Sequence, residues 1–176
     1  MPHVAVTAVG VDRPGIVAAV TGVLLEHGGN LEDTAMTRLG GHFAMVLVVE
    51  VTEDAAPLEE ALVAATASLG LSVTVRAIGE EASPTETGAA WAVTVHGADT
   101  RGIVHRVASA LADEGANIVD LATRRITSDA GTGYVALLEV LLPASADTDR
   151  LARTMRTLAE ELRVEIHLRP DEADFL

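Results

Sequence analysis

The 176-residue chain has no cysteine. That excludes disulfides, thiol nucleophiles and cysteine-based zinc sites, and it fits a reducing compartment. Aromatic residues are scarce: one Trp, one Tyr and two Phe. With 49% hydrophobic residues, the core must therefore be built from Val, Leu, Ile and Ala. Basic residues are few, 12 against 26 acidic ones, for a net charge of −14. Such a chain repels nucleic acid unless it carries a local basic stripe. None is visible, and no helix-turn-helix reader is left over, so no direct nucleic-acid contact is expected. No run approaches the ~20 apolar residues that span a bilayer. The first residues lack the basic segment and apolar run of a secretory signal. A cytoplasmic protein with no membrane partner is the expectation. The six histidines have no ligand spacing with a matched carboxylate, so neither a metal nor a cofactor is expected. No Ser-His-Asp or paired-carboxylate arrangement points to catalytic residues.

What is present is a repeat. "GVDRPGIVAAV" (10–20) and "GADTRGIVHRV" (97–107) are related by a shift of 87, and 10 of the 24 positions in 10–33 match those in 97–120. Each copy opens with an alternating stretch, "HVAVTAV" (3–9) or "WAVTVHG" (91–97), which predicts a half-buried strand. Apolar residues at helical spacing follow: Ile16, Val20, Val23, Leu24 and Ile103, Val107, Ala110, Leu111. Gly28 and Gly115 are expected to stop these helices in left-handed conformations. Second strands are expected over 31–39 and 118–127. "GG" at 40–41 predicts a tight hairpin, where the second copy has the looser "SDAGTG". The third strands, 43–51 and 134–142, are apolar on both faces and suit central positions. Asp54 and Ser145 are candidate N-caps for second helices. Their stripes are Leu58, Leu62, Ala65, Leu69 and Leu151, Met155, Leu158, Leu162. Strands over 71–77 and 163–169 close the units.

The order β-α-β-β-α-β, twice, is the ferredoxin-like split βαβ of the α+β class, with antiparallel sheets and helices on one face. The expected domains are 1–78 and 90–169, joined by a polar linker over 79–89 and followed by a tail over 170–176. The two units are expected to join side by side into one sheet. Ala44, Val46 and Val48 alternate with Phe43, Met45, Leu47 and Val49, so the face without helices also carries apolar surface. That predicts a homodimer or higher oligomer.

The strand-to-helix turn has two readings. Asp12 can cap the helix, Arg13-Pro14 suit its first turn, and Gly15 completes a good helix start. Alternatively, Gly15 lets a ligand approach, and the free amides of the helix start offer an anion site fit for a carboxylate. Asn30 and Asn117 are turn formers or polar groups poised at a strand start.

"DRPGIV", an amphipathic helix and then "GGNL" or "GANIVD" resemble the ACT domain family of small-molecule-sensing regulatory modules. The resemblance covers 3–78 and 90–169. A chain of two such units is similar to the glycine cleavage system transcriptional repressor group. The resemblance implies an amino-acid-responsive regulator without catalysis, acting through a partner protein, with a small amino acid such as glycine as ligand. It implicates Val11, Asp12, Pro14, Gly15 and Asn30, and Ala98, Asp99, Gly102 and Asn117. Each site is expected to join one copy's turn to the other copy's asparagine. Arg101 stands where Pro14 does, and His105-Arg106 where Ala18-Ala19 do, so the two sites should be unequal. With Gly22, Ala18 and Ala19 read as a packing face. Arg124-Arg125 read as surface charge.

Other readings are weaker. "VHGADTRGIVHR" resembles an acylphosphatase signature, but its spacing is one residue too long, and such enzymes need an asparagine on a distant strand. Formyltetrahydrofolate deformylases place a similar unit before a catalytic domain that is missing here. A structural oligomerisation module without ligand is the third alternative.

Overall fold

A computed structural model describes residues 2–52, 54–79, 88–128 and 131–171. The chain divides into two compact units, Met1–Ala82 and Ser83–Leu176. The expected linker over 79–89 and tail over 170–176 lie largely outside the described residues, at 80–87 and 172–176.

In the first unit, β1 (His3–Val11) leads through a turn into α1 (Ile16–Glu26). The amides of Gly28 and Gly29 donate to the carbonyls of Leu25 and Leu24, and Gly28 is left-handed (φ 66°). This is a Schellman stop, as the glycine predicts. Then β2 (Asn30–Leu39) and β3 (His42–Glu50) form a hairpin through Gly40-Gly41, both with positive φ as a two-residue turn of this kind demands. α2 (Ala55–Thr66) tightens into a 3₁₀ turn over Ala67–Leu69 before β4 (Ser72–Ile78). The second unit repeats the order as β5 (Ala89–Ala98), α3 (Ile103–Ala112), β6 (Asn117–Ser128), β7 (Gly131–Leu142), α4 (Thr148–Leu162) and β8 (Val164–Pro170). Gly115 ends α3 with the same Schellman bonds.

Each unit has its own antiparallel sheet, ordered β2-β3-β1-β4 and β6-β7-β5-β8. The third strands are central, as expected, and so are the first. Among the described residues each ladder holds four strands, all from one unit. A central position already accounts for strands that are apolar on both faces, so no eight-stranded ladder is required. Helices cover one face of each sheet. Val4, Val6, Phe43, Met45, Leu47 and Val75 pack with Ile16, Val20, Leu58 and Leu62 in one core, and Val93, Val95, Leu138 and Val140 pack with Val107, Leu111, Leu151 and Met155 in the other.

Two local expectations need correction. The buried stripe of α2 contains Thr66, whose hydroxyl donates to the Leu62 carbonyl, while Ala65 is exposed. Ser145 does not cap α4. The Ala146 amide donates to the Pro143 carbonyl, so the chain makes one more turn and Asp147 becomes the cap, its carboxylate accepting from the Arg150 amide at 2.8 Å. Asp54 does occupy the N-cap position of α2, although its side chain makes no cap hydrogen bond. Among the described residues no helix is long and apolar enough to cross a membrane.

Candidate functional site

The repeated turn is built alike in both units. β1 ends at Val11, and the Asp12 amide donates to the Gly41 carbonyl, tethering the turn to the β2–β3 hairpin. Asp12 does not cap α1. The N-cap is Gly15, with φ 93° and no side-chain cap, so Arg13 and Pro14 lie before the helix. The helix starts later than expected because the Asp12 carboxylate is taken by Arg38 on β2, at 2.6 Å. The second copy is the same: Gly102 is the N-cap with φ 87°, and Asp99 pairs with Arg125 on β6 at 2.9 Å.

Gly15 and Gly102 are glycines because their backbone is left-handed, where a Cβ is costly. A Cβ at either would meet nothing within 4 Å, so the space over each turn is open. The first amides of α1 and α3 have no intrahelical partner and carry the positive end of the helix dipole. The result is an open set of donors flanked by an Asp–Arg pair, fit for a carboxylate or another small anion. Gly10 and Gly97, also shared by the repeats, have a different reason. A Cβ at Gly10 would stand 2.9 Å from the Gly70 carbonyl, and one at Gly97 would stand 2.9 Å from Val164 Cα. They let the last strand of each unit pass close by.

Val11, Asp12, Pro14 and Gly15 thus lie together on one turn, as do Ala98, Asp99 and Gly102 on the other. The asparagines do not join them within a unit. Asn30 opens β2 opposite Glu50, which pairs with His3, whereas the turn follows Val11 at the other end of β1. Eight strand steps separate these ends, on the order of 25 Å. Asn117 opens β6 opposite Leu141, which pairs with Ala90, again at the end far from Ala98. A site made from one turn and its own unit's asparagine is therefore ruled out by the register.

Nothing local in the sequence singles out Arg38, and Arg125 reads there as surface charge. Both continue the shift of 87, as do Asp12 and Asp99, and that was the available signal. Arg106, beside the second turn, is engaged by Glu161 of α4. The second unit also holds a tight pair between its two helices. Glu114, after α3, accepts from Arg150 Nε at 2.5 Å and Nη2 at 2.8 Å, and from the Asp147 amide at 3.2 Å. Its side chain is only 5% exposed. The Arg150 hydrogen bonds hold the Glu114 carboxyl below its ordinary range despite the opposing effect of burial, and the same contact raises Arg150. This pair fixes the start of α4 to the end of α3. Among the described residues no group of three or more His, Asp or Glu side chains could hold a metal.

Residues 3–76 match the ACT domain family. A UPF0237 protein of Methanopyrus kandleri is 43% identical over 79 residues, covering 43% of this chain and 88% of that protein. The glycine cleavage system transcriptional repressor of Escherichia coli is 28% identical over 168 residues, covering 93% of this chain and 87% of the repressor. A crystal structure of an unknown protein from Galdieria sulphuraria matches 97% of this chain and 98% of that one, with a TM-score of 0.82 and 29% identity. The crystal structure of a putative glycine cleavage system transcriptional repressor covers 98% of each chain with a TM-score of 0.74 at 18% identity, a likeness of fold. The family match falls on the first unit, the second repeats its order of elements and its turn, and the full-length likenesses span both: the chain belongs to the ACT domain family, as a tandem of two ACT units.

Proposed function

We propose that the chain is an amino-acid-responsive regulatory protein without catalysis of its own. The observation that carries this reading is the duplicated open turn. Gly15 and Gly102 are both left-handed, both unobstructed, and both stand at helix starts whose first amides lack intrahelical partners and so suit a carboxylate. A free amino acid also needs acceptors for its ammonium group, and an asparagine amide oxygen supplies one. The register keeps each asparagine away from its own turn, so the proposed pairing is of one unit's turn with another unit's strand start: Asp12–Gly15 with Asn117, and Asp99–Gly102 with Asn30.

In this reading a small amino acid such as glycine is the ligand, by likeness to the repressor of Escherichia coli. The protein is a homodimer or higher oligomer and acts in the cytoplasm through a partner protein, with no direct nucleic-acid contact. The exposed Val46 on the helix-free face, flanked by half-buried Ala44 and Val48, supports association. Binding would change how units pack and so the surface offered to the partner.

A thermal-shift screen of the twenty amino acids tests the reading. A ligand at a hundredfold excess over its Kd stabilises by about 2.7 kcal/mol, which for a chain of this length raises Tm by about 5–10 °C. A Tm indifferent to every amino acid would leave a structural module as the better account.

A further inference from the structure

The repeat allows one unit to be read against the other away from the turn. Leu58 and Leu62 of α2 correspond to Leu151 and Met155 of α4, all four buried. Val75 and Leu168 correspond because they face Val6 and Val93, themselves related by the shift of 87. On this alignment Glu59 corresponds to Ala152.

In the first unit Glu59 closes an open edge. β4 is an edge strand, and the Val75 amide points away from β1. The Glu59 carboxylate accepts from it at 2.6 Å. In the second unit the Asp171 amide donates inward to the Ala90 carbonyl. The strand alternation then turns the Leu168 amide outward, as in Val75. With Ala152 in place of the glutamate, no described side chain takes it. A groove of about 680 Å³ opens there between α4 and β8, with Arg156 on its helix side, Met155 and Leu168 among its apolar lining, and His167 and Arg169, which alternate with Leu168 along β8, at the strand edge. Ile166 and Leu168 are half-buried where Val73 and Val75 are buried. Neither Arg156 nor Arg169 has a carboxylate partner among the described residues, although the chain carries 26 acidic residues. His167 stands 3.8 Å from Glu165.

We infer that the α4–β8 groove of the second unit binds a carboxylate, which takes the place that Glu59 holds in the first unit. The ligand accepts the Leu168 amide as Glu59 accepts that of Val75. Arg156 and Arg169 supply the charge, and their planar donor sets suit a carboxylate better than a spherical anion. The apolar floor accommodates a short carbon chain. Such a group exists on a free dicarboxylic acid and on an acidic side chain of a protein, and the two sources differ only in what lies behind the carboxylate. The site is separate from the turn at Gly102, and its failure would leave the proposed amino-acid site untouched.

Amide chemical shifts of the full-length ¹⁵N-labelled protein provide the test, in titrations with glutarate and with a blocked Gly-Glu-Gly peptide at constant ionic strength. The Leu168 amide should move and saturate, while that of Val75 stays still. Ala152→Glu should move the Leu168 amide without ligand and abolish the response. The double variant Arg156→Ala/Arg169→Ala should weaken binding at least about tenfold, the equivalent of 1.4 kcal/mol, and carries the same test should Ala152→Glu fail to fold. Tighter binding of the peptide assigns the source to a protein side chain, and tighter binding of glutarate to a free acid. A Leu168 amide that does not move, that moves equally with chloride, or that responds alike in the double variant would overturn the inference.

Discussion

Asp12 with Arg38 and Asp99 with Arg125 make the same ion pair in the two units, yet Glu59 and Ala152 do not make the same bond. The difference separates two kinds of feature. The turn, its left-handed glycine and its ion pair are kept in both copies, as a shared binding task would require. The helices around them have diverged. The outer side of α1 carries the exposed Ala18 and half-buried Ala19, whereas α3 carries His105 there and an Arg106 bound to Glu161. Arg13, Arg38 and Arg76 are the only basic residues of the first unit; the other nine arginines lie in the second. The second unit has converted part of its helix layer from apolar to ionic. It has gained the Glu114–Arg150 clamp, where His27 and Pro57 stand in the first, and it has opened the α4–β8 groove.

If the units are equivalent in their cores, equivalent truncations should cost alike. Leu24→Ala and Leu111→Ala should each destabilise by about 2–5 kcal/mol in denaturant unfolding. A markedly smaller loss in one would show that its core tolerates a cavity the other does not. The turns sharpen the comparison further. Gly15→Ala and Gly102→Ala should each cost about 1–2 kcal/mol, because each forces a Cβ into a left-handed backbone. Unequal costs would mean that one turn can relax out of that conformation.

The smallest difference at neutral pH grows in acid. Glu114 is held below its ordinary value of 4.5 chiefly by the Arg150 hydrogen bonds. A carboxyl favoured as the anion in the folded state lends stability above its unfolded value and loses it as pH falls towards the folded one. Below about pH 4.5 the amides of the second unit should therefore lose hydrogen-exchange protection more steeply than those of the first. Glu114→Gln should remove that extra steepness, and an unchanged profile would refute the assignment.

Much of this was legible in the sequence. The shift of 87 and the alternation of apolar residues are local signals, so they located both units, the helix stripes, the glycine stops and the central strands. Contacts between distant segments were not legible. Asp12 looked like a cap because helix-start chemistry is local, while Arg38, which takes its carboxylate, lies on another strand. Ser145 lost its role to Asp147 through a turn after Pro143 that the apolar pattern does not encode. Asn30 and Asn117 were recognisable as strand starts, and only the register revealed how far each stands from its own turn. Glu59 and Ala152 attracted no notice, because the meaning of that pair rests on an edge amide 16 residues away from Glu59.

The central claim is that the duplicated turns bind an amino acid together with the asparagine of the opposite copy. Titration calorimetry tests it most directly, using the amino acid that stabilises the parent protein best. The heats of the parent are compared with those of Gly15→Ala, Gly102→Ala, Asn30→Ala and Asn117→Ala. Asn117→Ala should lose the same site as Gly15→Ala, and Asn30→Ala the same site as Gly102→Ala, with the two sites differing in affinity because Arg101 replaces Pro14. Four variants that all titrate like the parent would contradict the account.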